Sequence, residues 1–373
     1  MKGHLAATVW VLLSTAAAFA HEGTRDHPRW YRGNTHAHTV LCGHADSTPE
    51  AVARWYLDRG YHFLCLSEHN RFIDPATVAL PEGRRGDFIL VPGEEITGRH
   101  VHMTGLNVNK LVVPVDQSGR TGTIQGFTDR ARAAAGTPII NHPNFTWALT
   151  TADIRPVKRC YLFELYNGHP AVNNEGDATR PSTEAMWDEL LTDGMVIYGV
   201  SSDDAHEFKT SSKDKSNPGR GWVMVRSSEL APNAIAAAID RGEFYSSSGV
   251  MLKDVTVTDT QYGVSVDRGA TEAEASKPEL IGRQVTNEAG VAPGYRIDFI
   301  GPGGKVLHTV NGTEATYQRP PGLPYVRAKV TYTHEADGAL VQHAAWTQPV
   351  FGDNRLQGIV RDGHASPEHT HPH

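Results

Sequence analysis

Short runs of β-branched and aromatic residues alternate with helix-like segments over the first two thirds of the chain. The runs predicted as strands are Trp30–Thr39, Phe63–His69, Phe88–Thr97, Val101–Val108, Pro138–His142, Leu162–Tyr166, Val196–Ser202 and Trp222–Arg226. The segments predicted as helices, each followed by a glycine, are Glu50–Arg59, Thr128–Ala135, Ser182–Asp193 and Ala234–Arg241. Strands that alternate with helices of this length favour parallel βα units, and their number favours a barrel or a large open sheet.

The pattern changes after Val250. Five short β-like runs follow, separated by Gly, Pro and Asn turns: Val255–Thr258, Tyr295–Ile300, Lys305–Val310, Tyr325–Tyr332 and Ala339–Trp346. No helical pattern of useful length lies between them. We therefore predict an α/β domain at 21–250 and an all-β, sandwich-like domain at 251–352. The polar, His-rich and Pro-rich tail at 353–373 is expected to be disordered.

Residues 1–20 have the pattern of a secretory signal peptide. Lys2 precedes a run of apolar and small residues from Leu5 to Phe19, and the segment ends in Ala18-Phe19-Ala20. The run is too short to span a bilayer of about 30 Å as a helix. We expect cleavage after Ala20, export to the periplasm or the extracellular space, and no membrane span in the mature chain.

Histidine is the unusual feature of the composition. The 373 residues include 20 histidines and only three cysteines, which excludes a disulfide-stapled scaffold and a thiolate zinc finger. The formal net charge of −7, with no basic block, gives no reason to expect a nucleic-acid partner. The composition therefore favours a protein that binds metal ions.

Histidines and carboxylates recur at the carboxyl ends of the predicted strands, where parallel α/β sheets place their sites. They are His36, His38, Glu68, His69, Glu94, Glu95, His100, His102, His142, Asp203, Asp204 and His206, with His44 and Asp46 just before the first helix. Residues two apart on a strand face the same side, so His36 and His38 can reach one ion. Imidazole and carboxylate without thiolate suit Zn²⁺, Mn²⁺ or Fe²⁺, and so many ligands predict two or three ions.

These motifs together resemble those of the PHP (polymerase and histidinol phosphatase) superfamily. The matching pieces, in the family's order over roughly residues 30–250, are His36-x-His38, Asp46, Glu68-His69-Asn70, Pro92-Gly93-x-Glu95, His142-Pro143 and Asp204-x-His206. The resemblance implies a distorted (β/α)₇ barrel that holds two or three divalent ions and hydrolyses phosphoesters. The ligands it implies are His36, His38, Asp46, His69, Glu95, His142, Asp204 and His206, with Glu95 bridging and His102 as a ninth.

Two positions depart from the family pattern. Glu68 stands where an aspartate is usual, and Asp46-Ser47 stands where Asp-Gly is usual. His44 lies close to Asp46 and is a candidate substitute ligand.

A further set of motifs is similar to the exported CehA/McbA-type branch of that superfamily, which includes a carbaryl hydrolase as well as phosphoesterases. The set comprises the segments 163–170, 173–174, 218–222 and 242–249. Glu164, Asn167 and His169 follow a predicted strand end and are predicted to contact substrate, although a strand-to-loop cap would use the same residues. Arg220, between glycines, is predicted to bind a phosphate oxygen, the alternative being a solvated loop arginine.

We therefore expect an exported, divalent-metal-dependent phosphoesterase that acts on a small phosphodiester. Two ions would lower the pKa of a bridging water, so that hydroxide forms near neutral pH. Asp204 or His206 would move the proton, and Arg220 would hold a non-bridging oxygen. A carboxyl-ester or carbamate hydrolase would use the same site. A periplasmic metal-binding protein is the alternative from another class.

Overall fold

The computed structural model of the protein describes residues 28–84, 86–285 and 290–356. The predicted signal peptide at 1–20 and residues 357–373 of the predicted tail lie outside the described residues. Within the described ranges, no helix combines the length and the apolar character needed to cross a bilayer.

The described residues form nineteen strands and six helices. The strands are β1 Arg29–Asn34, β2 Phe63–Cys65, β3 Ile89–Val91, β4 Gly93–Thr97, β5 His102–Leu106, β6 Thr137–Ile140, β7 Leu162–Asn167, β8 Tyr198–Ser202, β9 Trp222–Ser227, β10 Phe244–Ser247, β11 Leu252–Val257, β12 Gln261–Val266, β13 Arg283–Val285, β14 Gly294–Gly301, β15 Lys305–Asn311, β16 Glu314–Gln318, β17 Tyr325–Ala336, β18 Ala339–Thr347 and β19 Val350–Phe351. The helices are α1 Pro49–Asp58, α2 Gly119–Ala133, α3 Thr151–Ile154, α4 Thr183–Thr192, α5 Pro232–Asp240 and α6 Arg268–Ala275.

The strands form three sheets. The largest runs in the order β15-β14-β17-β18-β10-β9-β1-β2-β3, with β13 paired to β18 and β19 paired to β17. A five-stranded sheet runs β4-β5-β6-β7-β8, and a small one β11-β12-β16. The expected mixed α/β architecture with large sheets is confirmed. The pairings among the described residues do not close into one ring, so the (β/α)₇ barrel stays a prediction.

Strand direction differs in part from the predicted parallel βα units. The pairs β1–β2, β2–β3, β6–β7 and β7–β8 are parallel, as expected. The pairs β4–β5, β5–β6, β1–β9 and β9–β10 are antiparallel, so the parallel prediction is wrong for them. The β4–β5 pair follows from its short connection at 98–101, which has no room for a crossover helix, and β1 and β9 are far apart in the chain, so no single βα unit joins them. The pairs β5–β6 and β9–β10 are antiparallel although α2 and α5 lie in their connections.

The two larger sheets meet where strand ends converge. Only Pro92 separates β3 from β4, and a proline cannot donate to a sheet ladder, so the chain passes directly from one sheet into the other. Ala37 and Ala205 form an isolated parallel bridge beyond the ends of β1 and β8. His69 and Glu95 form a second such bridge. These bridges bring residues from both sheets to one place.

Helix α1 forms where its capping signals predict it. The Thr48 side chain accepts a hydrogen bond from the Ala51 amide, and Pro49 occupies the first helical position. Helix α2 is longer than the predicted Thr128–Ala135 because it starts at Gly119. Its glycines weaken the helical signal in the sequence, but burial of Ile124 and Phe127 stabilises the extra turns.

The region after Val250 contains one helix that the sequence pattern did not predict. The eight-residue α6 begins after Asp267, whose side chain accepts a hydrogen bond from the Ala270 amide. It contains no large apolar residue, which hides it from a search for apolar periodicity. The predicted boundary at 250 stays a prediction, although β18 pairs with β10 across it and the two sides share one hydrophobic core.

Candidate metal centre

His36 and His38 lie directly after β1, and their side chains face the same way. Their Nε2 atoms are 3.1 Å apart, and both residues are fully buried. The bridge from Ala37 to Ala205 holds the segment extended, so the alternation of side chains continues past the end of the strand. The structure therefore brings this predicted pair together.

Glu95, on β4, lies at the middle of the predicted ligands. Its carboxylate is buried and is surrounded by imidazoles. The oxygen Oε1 lies 3.4 Å from His36 Nε2, 3.2 Å from His102 Nδ1 and 3.2 Å from His142 Nε2. The other oxygen, Oε2, lies 2.5 Å from His69 Nδ1 and 3.8 Å from His38 Nε2. Glu95 therefore contacts imidazoles on both of its carboxylate oxygens, and its role as a bridging ligand stays a prediction.

Asp204, beyond β8, is the second carboxylate of the cluster. Its Oδ1 lies 3.3 Å from the Nε2 atoms of both His36 and His38, and its Oδ2 lies 3.9 Å from His142 Nε2. Asp204 and His142 have positive φ angles of 50° and 23°, a backbone region that residues other than glycine seldom occupy. Such backbone outliers concentrate at functional sites, where the surrounding structure enforces them.

The potential ligand atoms fall into overlapping groups of three. Within each group these atoms all lie within 4.8 Å of one another. The groups include His38–His69–His206, Cys42–His44–His206, His36–His38–Asp204, His36–Glu95–His142 and His38–Cys42–Glu68. The centre therefore extends from the buried Glu95 end to an outer end at His44 and Cys42.

The donor set fits divalent cations. Buried polar atoms are almost always hydrogen-bonded, yet His38 Nδ1, His206 Nε2 and Glu68 Oε2 are buried without a hydrogen-bond partner. Two carboxylates and several imidazoles converge in a water-poor space, where uncompensated groups of this kind are costly. Imidazole and carboxylate ligands suit Zn²⁺, Mn²⁺ or Fe²⁺.

The ionisation of the centre shows the same need for positive charge. Burial opposes ionisation of Glu95 and Asp204. The imidazoles of His102 and His36 nevertheless hold the pKa of Glu95 well below its ordinary value, and those of His36 and His38 do the same for Asp204. Burial lowers the pKa of His36, but Asp204, Glu164 and Glu95 outweigh it and raise that pKa to about 10. Without a metal ion, a proton on His36 supplies the missing charge, so binding of a cation would release it.

Other histidines of the centre are held neutral. Burial and the nearby imidazoles lower the pKa of His38 to about 3, and burial lowers that of His206 to about 4. Neutral imidazole is the form that binds metal, so these two residues are ready to act as ligands.

Glu164, on β7, holds His36 in place. Its Oε1 accepts hydrogen bonds from His36 Nδ1 at 2.8 Å and from the Ser202 hydroxyl at 2.5 Å. Its Oε2 accepts from the His142 amide at 2.7 Å and from Asn167 Nδ2 at 2.8 Å. A carboxylate on Nδ1 leaves Nε2 as the atom that faces the centre. The predicted contact of Glu164 with substrate stays a prediction, since both its oxygens already serve the ligands.

Asn167 and His169 lie on the same side of the centre. Asn167 Nδ2 also donates to Asp204 Oδ2 at 3.2 Å, and Asn167 Oδ1 accepts from the His169 amide at 2.8 Å. The His169 ring is half-buried and lies 5.8 Å from the His206 ring. Of the predicted substrate contacts, His169 is the one placed at the edge of the ligand cluster.

Arg220 is buried, so the alternative of a solvated loop arginine is wrong. Its guanidinium donates to the carbonyl oxygens of Gly168 at 3.1 Å and Ser212 at 2.7 Å, and to Asn217 Oδ1 at 3.3 Å. The Asp203 carboxylate accepts from the Arg220 amide at 2.7 Å. Arg220 therefore ties together the loops around the centre, and its predicted role in phosphate binding stays a prediction.

The Asp46 carboxylate accepts hydrogen bonds from the loop that follows His206. Its Oδ1 accepts from the Phe208 amide at 3.0 Å, and its Oδ2 accepts from the Lys209 amide at 3.1 Å. Its role as a ligand stays a prediction. His44, the candidate substitute, lies within the cluster, with its ring 4.7 Å from that of His206 and 5.2 Å from that of His69.

Several residues of the centre escaped the sequence analysis. Asn141 Nδ2 donates to Glu95 Oε1 at 2.9 Å, and Thr97 Oγ1 lies 2.7 Å from His69 Nδ1. Both could have been found from their positions, because Asn141 precedes His142 and Thr97 lies two residues after Glu95 on the same strand face. Cys42 could not, because only the folded chain brings its sulfur near His206.

Comparison with known proteins finds structural similarity at low sequence identity. No family model matches the sequence, and no curated protein matches it significantly. Among solved structures, the chain is similar to a two-domain protein from Bacteroides vulgatus ATCC 8482 that contains a predicted PHP-like metal-dependent phosphoesterase. The two are 13% identical, with 85% of this chain and 95% of that chain covered and a TM-score of 0.41.

Proposed function

We propose that this protein is a divalent-metal-dependent hydrolase of the PHP type, acting on phosphoesters. The observation that carries the proposal is the convergence of Glu95 and Asp204 on the imidazoles of both sheets. Ligand atoms buried without partners at the same place support a centre that binds cations. Glu95 and Asp204 would hold the ions together with His36, His38, His44, His69, His102, His142 and His206.

Divalent ions at such a centre make a water molecule more acidic and offset the negative charge that builds up on a phosphoryl group under attack. The residues of the chain provide the order that this chemistry needs. Glu164 fixes the orientation of His36 through Nδ1. Asn167 holds the Asp204 carboxylate, and Asn141 holds that of Glu95. Metal ligands whose orientation is fixed by hydrogen bonds to neighbouring side chains are typical of catalytic centres.

His169 is a good candidate for contact with substrate. Its Nδ1 accepts a hydrogen bond from the Ala171 amide at 3.1 Å, so a neutral ring carries its proton on Nε2. It is half-buried beside the cluster, and it can donate that proton in a hydrogen bond to a phosphoryl or leaving-group oxygen. Asp204 and His206 remain the proposed residues for proton transfer from the attacking water.

The proposed substrate is a phosphodiester, the proposed family branch is the CehA/McbA type, and the proposed location is outside the cytoplasmic membrane. A phosphodiester carries one negative charge, which divalent ions held by Glu95 and Asp204 would offset during attack. The motifs around Glu164, Arg220 and Tyr245 support the CehA/McbA-type branch, and the pattern of residues 1–20 supports export to the periplasm or the extracellular space. The alternative is a carboxyl-ester or carbamate hydrolase on the same centre, because only the electrophile would differ.

A metal-buffering protein is a weaker alternative. A buffer needs ligands but no partners that orient them. Here Glu164, Asn141, Asn167 and Thr97 each lie against a ligand of the centre. That arrangement favours an enzyme.

The experiment is hydrolysis of a substrate panel by protein reconstituted separately with Zn²⁺, Mn²⁺ and Fe²⁺. The panel contains an aryl phosphomonoester, a phosphodiester, a carboxyl ester and a carbamate. We expect the phosphodiester to turn over fastest and Glu95→Gln to abolish turnover. The control Glu189→Gln alters an exposed carboxylate of α4 and should leave the rate unchanged. Faster hydrolysis of the carbamate would favour the alternative, and no hydrolysis with bound metal would favour the buffer.

A further inference from the structure

We propose that Cys42 supplies a thiolate ligand at the outer end of the metal centre, together with His44 and His206. This donor set gives the outer position a preference for a thiophilic divalent ion such as Zn²⁺. The inference rests on the metal centre of the proposed function but not on the nature of the substrate. It adds a thiolate to the imidazole and carboxylate ligands expected from the sequence.

The backbone after β1 directs Cys42 back toward the centre. Residues Val40–Cys42 form a 3₁₀ turn that begins with a hydrogen bond from the Leu41 amide to the Thr39 side chain. Gly43 follows with a φ angle of 86°, a left-handed conformation that a glycine adopts without strain. The chain reverses there, and His44 Nδ1 lies 3.3 Å from the Cys42 carbonyl oxygen. The turn thus places the sulfur and an imidazole on the same side.

The sulfur belongs to two groups of ligand atoms. In one group it lies within 4.8 Å of a ring nitrogen of His44 and one of His206. In the other it lies within 4.8 Å of a ring nitrogen of His38 and a carboxylate oxygen of Glu68. Cys42 is the only cysteine of the chain that is partly exposed, since Cys65 and Cys160 are buried. An ion and its exchange ligands could therefore reach it.

A second observation points to a ligand at this place. His206 is only 7% exposed, its Nδ1 lies 2.9 Å from the Asp204 carbonyl oxygen, and its Nε2 has no hydrogen-bond partner. Glu68 is fully buried, and its Oε1 accepts from the Thr39 amide at 2.6 Å, while Oε2 has no partner. Each of the two groups that contain the sulfur therefore also contains a residue with a buried, unpartnered ligand atom. A cation would satisfy these atoms.

The two ends of the centre differ in chemistry. The inner end, around Glu95 and Asp204, offers carboxylate and imidazole. The outer end offers sulfur and imidazole, which favour Zn²⁺ or Co²⁺ over Mn²⁺ and Mg²⁺. A centre of this kind would bind its ions with different preferences at its two ends.

The test is the absorption spectrum of the metal-free full chain during titration with Co²⁺. Ligand-field bands in the visible report Co²⁺ anywhere in the centre, whereas a thiolate-to-cobalt charge-transfer band in the near ultraviolet reports a bound sulfur. We expect both in the wild type. Cys42→Ser should lose the charge-transfer band and keep ligand-field bands, and its Zn²⁺ affinity at the outer position should fall by at least about ten-fold.

Cys160→Ser is the matched control, because Cys160 is a buried cysteine outside the centre and its variant should keep the charge-transfer band. Ligand-field bands without a charge-transfer band in the wild type would overturn the role of Cys42 and leave the centre standing. Absence of both bands would overturn the centre itself. Persistence of the charge-transfer band in Cys42→Ser would also overturn the proposal.

Alkylation gives an independent readout that needs no variant. Iodoacetamide should modify Cys42 in the metal-free wild type, and Zn²⁺ should slow that modification by at least about ten-fold. Equal rates with and without Zn²⁺ would contradict coordination by the sulfur.

Discussion

Glu164 contributes to the centre through the residues it orients. It is 1% exposed, and its two oxygens accept hydrogen bonds from His36, Ser202, Asn167 and the His142 amide. Its negative charge favours a His36 ring that keeps its proton on Nδ1 and turns Nε2 toward the metal ions. Loss of that charge should therefore weaken metal binding without removing a ligand.

We expect Glu164→Gln to lower metal affinity by roughly 10- to 100-fold, the range observed for residues that orient ligands. The amide keeps the shape of the side chain but lacks the charge that polarises the His36 ring. Competition with a chromophoric chelator measures the affinity, and circular dichroism checks the fold. Glu189→Gln is the control on an exposed carboxylate. Unchanged metal affinity in Glu164→Gln would show that metal binding by His36 does not depend on a carboxylate at Nδ1.

Arg220 makes buried hydrogen bonds that its predicted role in phosphate binding does not require. Its guanidinium is bound by two carbonyl oxygens and an amide oxygen, which makes it a connector of the loops at 168, 212 and 217. Burial lowers its pKa from the ordinary value, but the guanidinium stays charged. A connector affects every substrate equally, whereas a phosphate ligand affects anionic substrates most.

We expect Arg220→Ala to destabilise the protein by roughly 2–4 kcal/mol, because it breaks buried hydrogen bonds to a charged group. Arg226→Ala, on the neighbouring strand β9, removes an arginine that is 45% exposed and should change stability by less than about 0.5 kcal/mol. Urea unfolding measures both. A stable Arg220→Ala protein that loses only phosphodiester hydrolysis would restore the phosphate-binding role.

Helix α4 and strand β17 are joined by a buried ion network. Arg327 is fully buried, and its guanidinium donates to Asp188 at 2.8 and 2.6 Å and to Glu184 at 3.0 Å. Lys329 also pairs with Glu184 at 2.6 Å. The network links an element of the α/β region to the sheet that follows residue 250.

Arg327→Ala should destabilise the protein by about 3–5 kcal/mol, because it removes the charged partner of the buried Asp188, whereas Glu184 keeps Lys329. Arg268→Ala removes an arginine whose pair with Glu272 is exposed, and it should leave the stability nearly unchanged. Thermal unfolding distinguishes the two. Equal changes in melting temperature would mean that the network contributes no more than a surface pair.

The same network predicts that the free energy of unfolding depends on pH in the acid range. Burial raises the pKa of Glu184, but Lys329 and Arg327 outweigh it and lower that pKa from 4.5 to about 2. The stabilising contribution is therefore fully present above pH 4.5 and is lost as the pH falls toward 2. We expect Glu184→Gln to be less stable than the wild type at neutral pH, with the difference shrinking between pH 4.5 and 2. A difference in unfolding free energy that is independent of pH would contradict this.

At the scale of the whole molecule, the two halves of the chain share one sheet. Tyr245, Ser246 and Ser247 of β10 pair with Thr347, Trp346 and Ala345 of β18. The large core cluster includes Trp222 and Tyr245 from one half and Phe299 and Val330 from the other. Removal of the second half would expose both the edge of β10 and an apolar face.

We expect a fragment of residues 28–250 to be poorly soluble and to lack a cooperative unfolding transition. A fragment of residues 28–356, which keeps β18, should unfold cooperatively and retain metal binding. Differential scanning calorimetry compares them. A cooperative, metal-binding 28–250 fragment would show that the predicted boundary at 250 separates independent domains.

Much of the architecture could be predicted because its signals are local. The Thr48-Pro49 start of α1 and the glycines after the helices depend on a few neighbouring residues. The period-two spacing of His36 and His38, and the motif order through Asp204 and His206, indicate most of the residues that the structure brings together at the centre. Helix α6 and the full length of α2 escaped prediction because packing and capping, rather than apolar periodicity, stabilise them.

The sequence by itself determined which residue types stand at the strand ends, and therefore that a cation centre of imidazole and carboxylate was to be expected. Only the tertiary structure decided how those side chains are used. It turned Glu164 toward His36, surrounded Arg220 with carbonyl oxygens, engaged Asp46 with the loop after His206, and brought Cys42 to the outer end of the centre. The physical reason is that a side chain's partner depends on contacts between segments far apart in the chain, which no local pattern encodes.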